Sequence, residues 1–130
     1  MRTTTKAPLI LSCLILAVAF VGCSKGDRPP LAGVTGNVKI KGQPVKDLII
    51  MFKPAKGKAG TGQTDAEGNY TAIFGRIGVT GAPVGKCKVS FQWPTGHDPM
   101  GVTIPDGWAG DSETEVEIKE GANTFNFNLE

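Results

Sequence analysis

The most regular stretch of this sequence is Lys86-Cys87-Lys88-Val89-Ser90-Phe91-Gln92-Trp93. Polar and apolar side chains alternate along it without a break, and successive side chains of a β-strand point to opposite faces. Cys87, Val89, Phe91 and Trp93 therefore share one face, which we expect to be buried against a core. An amphipathic helix would instead need apolar residues three and four positions apart. The stretch thus predicts a half-buried strand and favours an all-β domain.

Shorter strands are predicted on the N-terminal side of this stretch. Residues 34–41 alternate in the same way, and the apolar residues 48–52 predict a central strand covered on both faces for part of its length. Residues 55–62 are rich in Gly and Lys, which favours a loop. Gly68 then offers the positive φ that a bulged hairpin turn requires. We therefore expect a hairpin around that turn, with residues 69–74 as its second arm.

The C-terminal side begins with a long segment, residues 94–110, which is rich in Gly and Pro and has no strand periodicity. Long loops of this kind are usually functional or mobile. Residues 113–119 and 124–129 then predict a terminal hairpin joined by the turn at residues 121–123. About six or seven short strands separated by turns predict a single antiparallel β-sandwich, which we place at residues 34–130.

The first 22 residues have the order of a secretory signal peptide, with a short cationic start, an apolar run and a small residue at the end. The apolar run is shorter than the about 20 residues that a membrane-spanning helix needs, which favours cleavage over a retained anchor. The end of the run, Phe20-Val21-Gly22-Cys23, resembles the bacterial lipobox. The resemblance implies cleavage between Gly22 and Cys23 and the attachment of diacylglycerol and palmitate-like chains to Cys23. An ordinary signal peptide that ends at a chance cysteine is the alternative.

Residues 23–33 are polar and Pro-rich, a composition that does not pack into a core, so they predict a flexible tether behind the lipidated cysteine. Two or three acyl chains hold a protein to a bilayer persistently, whereas one holds it only marginally. We therefore expect a lipid-anchored protein on the exported side of the cell membrane or the outer membrane.

Charge gives little indication of a partner. The formal net charge of +2 is carried by Arg2 and Lys6, so the remainder of the chain balances 12 cations against 12 acids. Lysines are concentrated in residues 39–58 and acids in residues 106–120, which predicts a dipolar surface. Nucleic-acid binding would need a basic face with stacking aromatics, and no such face is predicted.

Three pieces of sequence, residues 34–45, 62–70 and 83–89, resemble in order the carboxypeptidase regulatory-like domain. The most specific piece is Thr64-Asp65-Ala66-Glu67-Gly68-Asn69-Tyr70, which is similar to the T-D-x-x-G-x-Y/F turn of that family. The resemblance implies a transthyretin-like (prealbumin-like) sandwich of the kind found in small bacterial lipoproteins. It also implies an envelope module without catalysis or cofactor, and it supplies no ligand residue.

The residues that could carry chemistry are few, and neither a catalytic nor a metal site is predicted. Cys87 lies on the apolar face of its strand, where a buried thiol is more common than a nucleophile. His97 is the only histidine, and the adjacent Asp98 cannot orient it as the acid of a catalytic triad would. A metal site would also need more ligands of the His and Cys type.

Trp108 and His97, both in residues 94–110, are the candidate ligand-binding residues. Exposed aromatic side chains often anchor recognition surfaces, but Trp108 could equally fold back and cap the sandwich. Two functions remain open. One is a non-catalytic lipid-anchored envelope protein that presents a binding or structural module. The other is an adhesion-type module that binds a glycan or an envelope protein through this loop.

Overall fold

A computed structural model describes residues 29–76, 78–97 and 99–130. Within these ranges the chain forms twelve strands and no helix. No helix in this part of the chain is therefore long and apolar enough to cross a bilayer. The predicted signal peptide, the cleavage site at Gly22 and Cys23, and most of the predicted tether lie outside the described residues.

The strands pack as two sheets around one core, so the prediction of an all-β sandwich is confirmed. They are β1 (Leu31–Ile40), β2 (Gln43–Pro44), β3 (Ile49–Pro54), β4 (Gly60–Gln63), β5 (Asn69–Thr71), β6 (Ile73–Phe74), β7 (Val79–Thr80), β8 (Ala82–Pro83), β9 (Gly85–Gln92), β10 (Glu115–Ile118), β11 (Ala122–Thr124) and β12 (Phe127–Leu129). The first sheet contains β1, β2, β5, β8, β11 and β12, and the second has the order β10-β9-β3-β4-β6-β7.

The long strand β1 organises the first sheet. On one edge it pairs in turn with β8, β5 and β2, all antiparallel, and on the other edge with β11 and β12, both parallel. The strand begins at Leu31, three residues before the predicted start of the domain. It does so because Ala32 is buried and pairs with Ala82 of β8, which extends the sheet toward the N-terminus.

The second sheet has β3 and β9 at its centre. The alternation that predicted β9 is confirmed, because Cys87, Val89 and Phe91 are all buried. In β3 only the inner face is buried, and Ile49 and Met51 on the outer face are half-buried. The prediction that this strand is covered on both faces was wrong, since the described residues form two sheets and no third layer over the second one.

The segment predicted as a Gly-rich loop contains strand β4, so that prediction was wrong over residues 60–62. The glycines of β4 allow the two sheets to approach each other closely, because they have no side chain at the contact. A Cβ atom on Gly60 would lie 2.7 Å from the Cβ of Ala82, and one on Gly62 would lie 3.1 Å from the ring of Tyr70. Glycine within a strand often marks such a close approach of another backbone or ring.

Both predicted hairpins become crossings between the sheets. The turn at Asp65 closes as predicted, but β5 then pairs with β1 of the first sheet, and only β6 returns to β4. Likewise β10 pairs with β9, whereas β11 and β12 pair with β1. The prediction of a terminal hairpin was wrong because Asn123 ties the turn to the other sheet: its amide group donates to the carbonyls of Lys119 (2.7 Å) and Gly33 (3.1 Å).

The sandwich has two ends, separated by the ten residues of β1, or about 30 Å. At the first end, Leu31 lies beside Pro83, and the loop that follows Pro54 and the turn that follows Ile118 flank the start of β9. We call this the tether end; it comprises residues 31, 55–59, 75–76, 84–86 and 119–121. The opposite far end comprises residues 39–47, 65–68, 93–107 and 130.

Candidate functional site

Trp108 lies against the rim of the core, at the end of the long loop. The carbonyl of Trp108 accepts a hydrogen bond from the backbone N–H of Phe91 (2.8 Å), which fixes the returning loop along β9. The indole ring meets Phe91 and Phe127 edge to face, with centroids 5.8 and 6.3 Å away. This position is the one expected of a residue that caps the sandwich, because the indole packs on the buried Phe91 and the partly buried Phe127.

His97 lies at the other end of the same loop and stacks on Trp93. The two ring centroids are 5.1 Å apart and the planes are inclined by 18°. The backbone N–H of His97 donates to the carbonyl of Pro94 (3.0 Å), so a tight turn brings the imidazole back over the indole. The indole Nε1 of Trp93 is buried without a hydrogen-bond partner among the described residues. Asp98, the acid next to His97, lies outside those residues.

The two candidate ligand-binding residues therefore belong to different aromatic pairs. His97 contacts Trp93, whereas Trp108 contacts Phe91 and Phe127. The chain between them exposes apolar surface, since Met100 is 89% exposed and Val102 36% exposed. A binding surface at this loop would thus be formed by the Trp93–His97 stack and the exposed Met100 and Val102, while Trp108 fixes the end of the loop against Phe91.

Sequence reasoning missed a second surface, a groove of about 670 Å³ on the outer face of the second sheet. Its floor is apolar, with Ile49 and Met51 from β3 and Ile73 from β6. Its rim is polar, with Gln63, Thr61, Gln92, Asp65, Asn69 and Thr71. An apolar floor with a polar rim is common at binding surfaces. The sequence signal for this groove is weak because the groove forms only when β3 pairs with β4, and the composition of β4 is typical of a loop.

The motif at residues 64–70, which carries the family resemblance, has structural roles at most of its positions. Thr64 is buried and its hydroxyl accepts a hydrogen bond from the N–H of Leu48 (2.9 Å). The Asp65 carboxylate accepts hydrogen bonds from two backbone N–H groups, those of Glu67 and Asn69. These bonds satisfy local backbone donors in the manner of an Asx turn.

Gly68 and Tyr70 complete the motif. Gly68 has a φ of +82°, and a Cβ atom there would lie 2.5 Å from the carbonyl oxygen of Val38. Tyr70 is buried, and its hydroxyl donates to the carbonyl of Phe125 (2.7 Å). Burial raises the pKa of the Tyr70 phenol well above its usual value, so the group remains a hydrogen-bond donor. The motif therefore locks the turn to both sheets and leaves little of itself for chemistry.

Cys87 is buried, with its Sγ 3.6 Å from the carbonyl oxygen of Pro83. Burial, and to a smaller extent the negative charge of Glu115, raises the pKa of the thiol. A raised pKa keeps the thiol protonated at neutral pH and therefore a poor nucleophile. The predicted burial of this cysteine is confirmed.

Charged side chains do not assemble into a metal site in the described ranges, where no cluster of three or more His, Cys, Asp or Glu side chains occurs. The only ion pair there joins Lys88 to Glu113 at 3.2 Å, and both side chains are largely exposed. Lys53 nearby donates to the carbonyl of Gly110 (3.2 Å). These contacts hold the end of the long loop against β9.

Comparison with known proteins identifies no relative: no family model, no curated protein and no solved structure matches this chain. The resemblance to the carboxypeptidase regulatory-like domain and to the lipobox therefore stays a prediction from the residues themselves.

Proposed function

We propose that this chain is a non-catalytic, lipid-anchored protein of the bacterial cell envelope, which holds a β-sandwich at the membrane and directs the far end of that sandwich away from it. The observation that carries the proposal is the position of Leu31. The folded part of the chain begins eight residues after Cys23 and does so at the end of the sandwich opposite the long loop.

Distances support this arrangement. Eight residues span at most about 28 Å even when fully extended, so the tether end is confined to the neighbourhood of any lipid attached to Cys23. Strand β1 then adds about 30 Å between the tether end and the far end. A domain held in this way presents the loop at residues 93–107 toward the space beyond the membrane.

The placement of reactive side chains supports a role without catalysis. The Cys87 thiol is buried on the core side of β9 and its pKa is raised. The imidazole of His97 lies flat on Trp93, about 5 Å between ring centres, which occupies one of its faces. A nucleophile and a base would have to lie within hydrogen-bond reach of each other, whereas Cys87 lies near the start of β9 and His97 lies beyond its end.

A second function, recognition of a glycan or an envelope protein, is favoured by the composition of the far end. The Trp93–His97 stack, Met100 and Val102 place aromatic and apolar surface at the far end, opposite the tether end. Aromatic rings are frequent anchors in recognition surfaces. This function is compatible with lipid anchoring and would give the anchored domain a ligand.

The anchoring proposal is tested by replacing the cysteine that would carry the lipid. We expect Cys23→Ala to leave the protein without acyl chains and to shift it from the membrane to the soluble fraction. Cys13→Ala, which removes a cysteine within the predicted signal peptide, is the matched control and should process normally. N-terminal mass spectrometry decides the matter, because an unmodified Cys23 or a mature chain that starts elsewhere would refute lipid anchoring.

A further inference from the structure

We propose that the tether end is a docking surface for anionic phospholipid headgroups, so that the domain lies on the membrane in one orientation. The inference rests on the proposed anchoring at Cys23, which brings this end to a lipid surface. What it adds is a second contact, made by cations that the fold gathers at the same end from distant parts of the sequence.

Five cationic side chains stand at or beside the tether end, all on exposed residues: Lys56 and Lys58 in the loop after β3, Arg76 after β6, Lys86 in β9 and Lys119 after β10. The strand pairings bring these segments together, since Pro54 pairs with Cys87, Gly60 with Phe74, and Ile118 with Gly85. Glu120 is the acid within this end, and Glu117 stands beside it, opposite Lys86. Five cations against two acids give this end a net charge of +3.

Three of these cations differ from Lys53 and Lys88 of the second sheet, whose ammonium groups already have a partner within the protein. Lys88 is paired with Glu113, and Lys53 donates to the carbonyl of Gly110. In the described part of the chain, no carboxylate lies within ion-pair distance of Lys56, Lys58 or Lys119. Their charge is therefore available to an external anion.

The far end has the opposite sign. Its described residues include Lys39, Lys41 and Lys46, but also five acids, namely Asp47, Asp65, Glu67, Asp106 and Glu130. Three cations against five acids give a net charge of −2. An anionic membrane would attract the tether end and repel the far end, so both charges favour the same orientation.

The length of the tether makes this attraction effective. Eight residues keep the basic loops within at most about 28 Å of a lipid on Cys23, and the Debye length at physiological ionic strength is about 8 Å. A cation close to an anionic bilayer gains about 1 kcal/mol, which is roughly a fivefold gain in surface affinity. Because the tether keeps the basic loops near the bilayer, every contact of these cations with an anionic surface adds to the attraction.

The experiment uses the lipidated full-length product, purified from membranes and reconstituted into vesicles. A fluorophore is attached to Ala55→Cys at the tether end or to Ala66→Cys at the far end; both alanines are exposed, and Cys87 is buried and does not compete for the label. The vesicles contain a nitroxide lipid quencher in phosphatidylcholine alone or in phosphatidylcholine with phosphatidylglycerol. The measured quantity is the ratio of quenching at position 55 to quenching at position 66.

We expect this ratio to rise severalfold when phosphatidylglycerol is present and to return to the phosphatidylcholine value at about 1 M salt, where the Debye length is about 3 Å. The triple variant K56E/K58E/K119E should abolish the rise. The matched variant K39E/K41E/K46E, which reverses three exposed lysines of the far end, should keep it. Thermal melting of both variants checks that each one still folds.

If the quenching ratio does not change with phosphatidylglycerol, or changes equally in both triple variants, the proposed docking surface is refuted. This result does not affect the proposal of a lipid anchor. The N-terminal mass of the same sample tests the anchor separately. A chain without lipid that still binds anionic vesicles through Lys56, Lys58 and Lys119 would refute the anchor and support the surface. A chain without lipid that does not bind these vesicles would refute both.

Discussion

Two connections at the far end of the sandwich are built in different ways. The turn at residues 64–70 is closed by its own polar groups: the Asp65 carboxylate accepts two backbone N–H bonds and the Thr64 hydroxyl accepts a third. The loop at residues 94–107 is held mainly at its two limits, where His97 stacks on Trp93 and Trp108 packs on Phe91. Between these limits it exposes apolar side chains.

This difference separates a structural connection from a candidate recognition surface. In the turn, the side chains of Thr64, Asp65 and Tyr70 are already engaged within the protein, so little is left for a ligand. In the loop, Met100 and Val102 expose apolar side chains. Exposed apolar surface is a common feature of interaction sites.

The sharpest test of this comparison is a pair of matched glycine substitutions, Gly68→Ala in the turn and Gly96→Ala in the loop. Both glycines have positive φ, +82° and +78°, so each change costs about 1 kcal/mol in backbone strain. At Gly68 the new Cβ also meets the carbonyl of Val38 at 2.5 Å, whereas at Gly96 nothing lies within 4 Å. We expect a total loss of about 3 kcal/mol for Gly68→Ala, since overpacking adds a further 1–3 kcal/mol.

Thermal unfolding measures the difference. A loss of 3 kcal/mol in a domain of this size lowers Tm by roughly 15 °C, against about 5 °C for the loop variant. Equal losses at the two positions would show that the turn is no more constrained than the loop.

The same contrast explains how much the sequence could predict. Local signals were reliable: the alternation around Val89 predicted β9, and Gly68 predicted a turn with positive φ. Pairing partners were not, because they depend on residues far away in the chain. The residues after Gly121 continue an alternating pattern, which does not reveal that they pair with β1.

Candidate sites followed the same rule. Burial of Cys87 could be predicted from its own strand, whereas the groove over Ile49 and Met51 could not, because its lining comes from segments far apart in the chain. The cations of the tether end come from four separate segments of the chain. The sequence alone therefore shows balanced numbers of cations and acids and does not show that these five cations lie together. In each case the missing information was the relative placement of segments.

The next largest effect is expected at Trp108, and it decides whether this residue belongs to the fold or to a binding surface. Removing a partly buried indole that contacts Phe91 and Phe127 should cost about 2 kcal/mol. Trp108→Ala should therefore lower Tm by roughly 10 °C, and Trp108→Phe, which retains a ring, should recover part of the loss. If Tm does not change while capture of envelope glycans or proteins is lost, Trp108 is a ligand anchor and does not cap the core.

The smallest effect on stability is expected at His97, which makes it the most informative residue for binding. The imidazole stacks on one face of Trp93 but lies on an exposed loop, so His97→Ala should change the free energy of unfolding by less than about 0.5 kcal/mol. Loss of the stacked ring should still alter the fluorescence of Trp93, which reports that the stack has been removed.

If the far end recognises envelope material through the Trp93–His97 stack, truncation of a central contact should lower affinity by about 2 kcal/mol, or on the order of thirtyfold. Capture of isolated envelope glycans and membrane proteins by the anchored domain measures this, with Thr95→Ala as a control at an exposed neighbouring position. Unchanged capture by His97→Ala, together with the expected change in Trp93 fluorescence, would exclude the stack as a binding surface and leave the loop with a structural role.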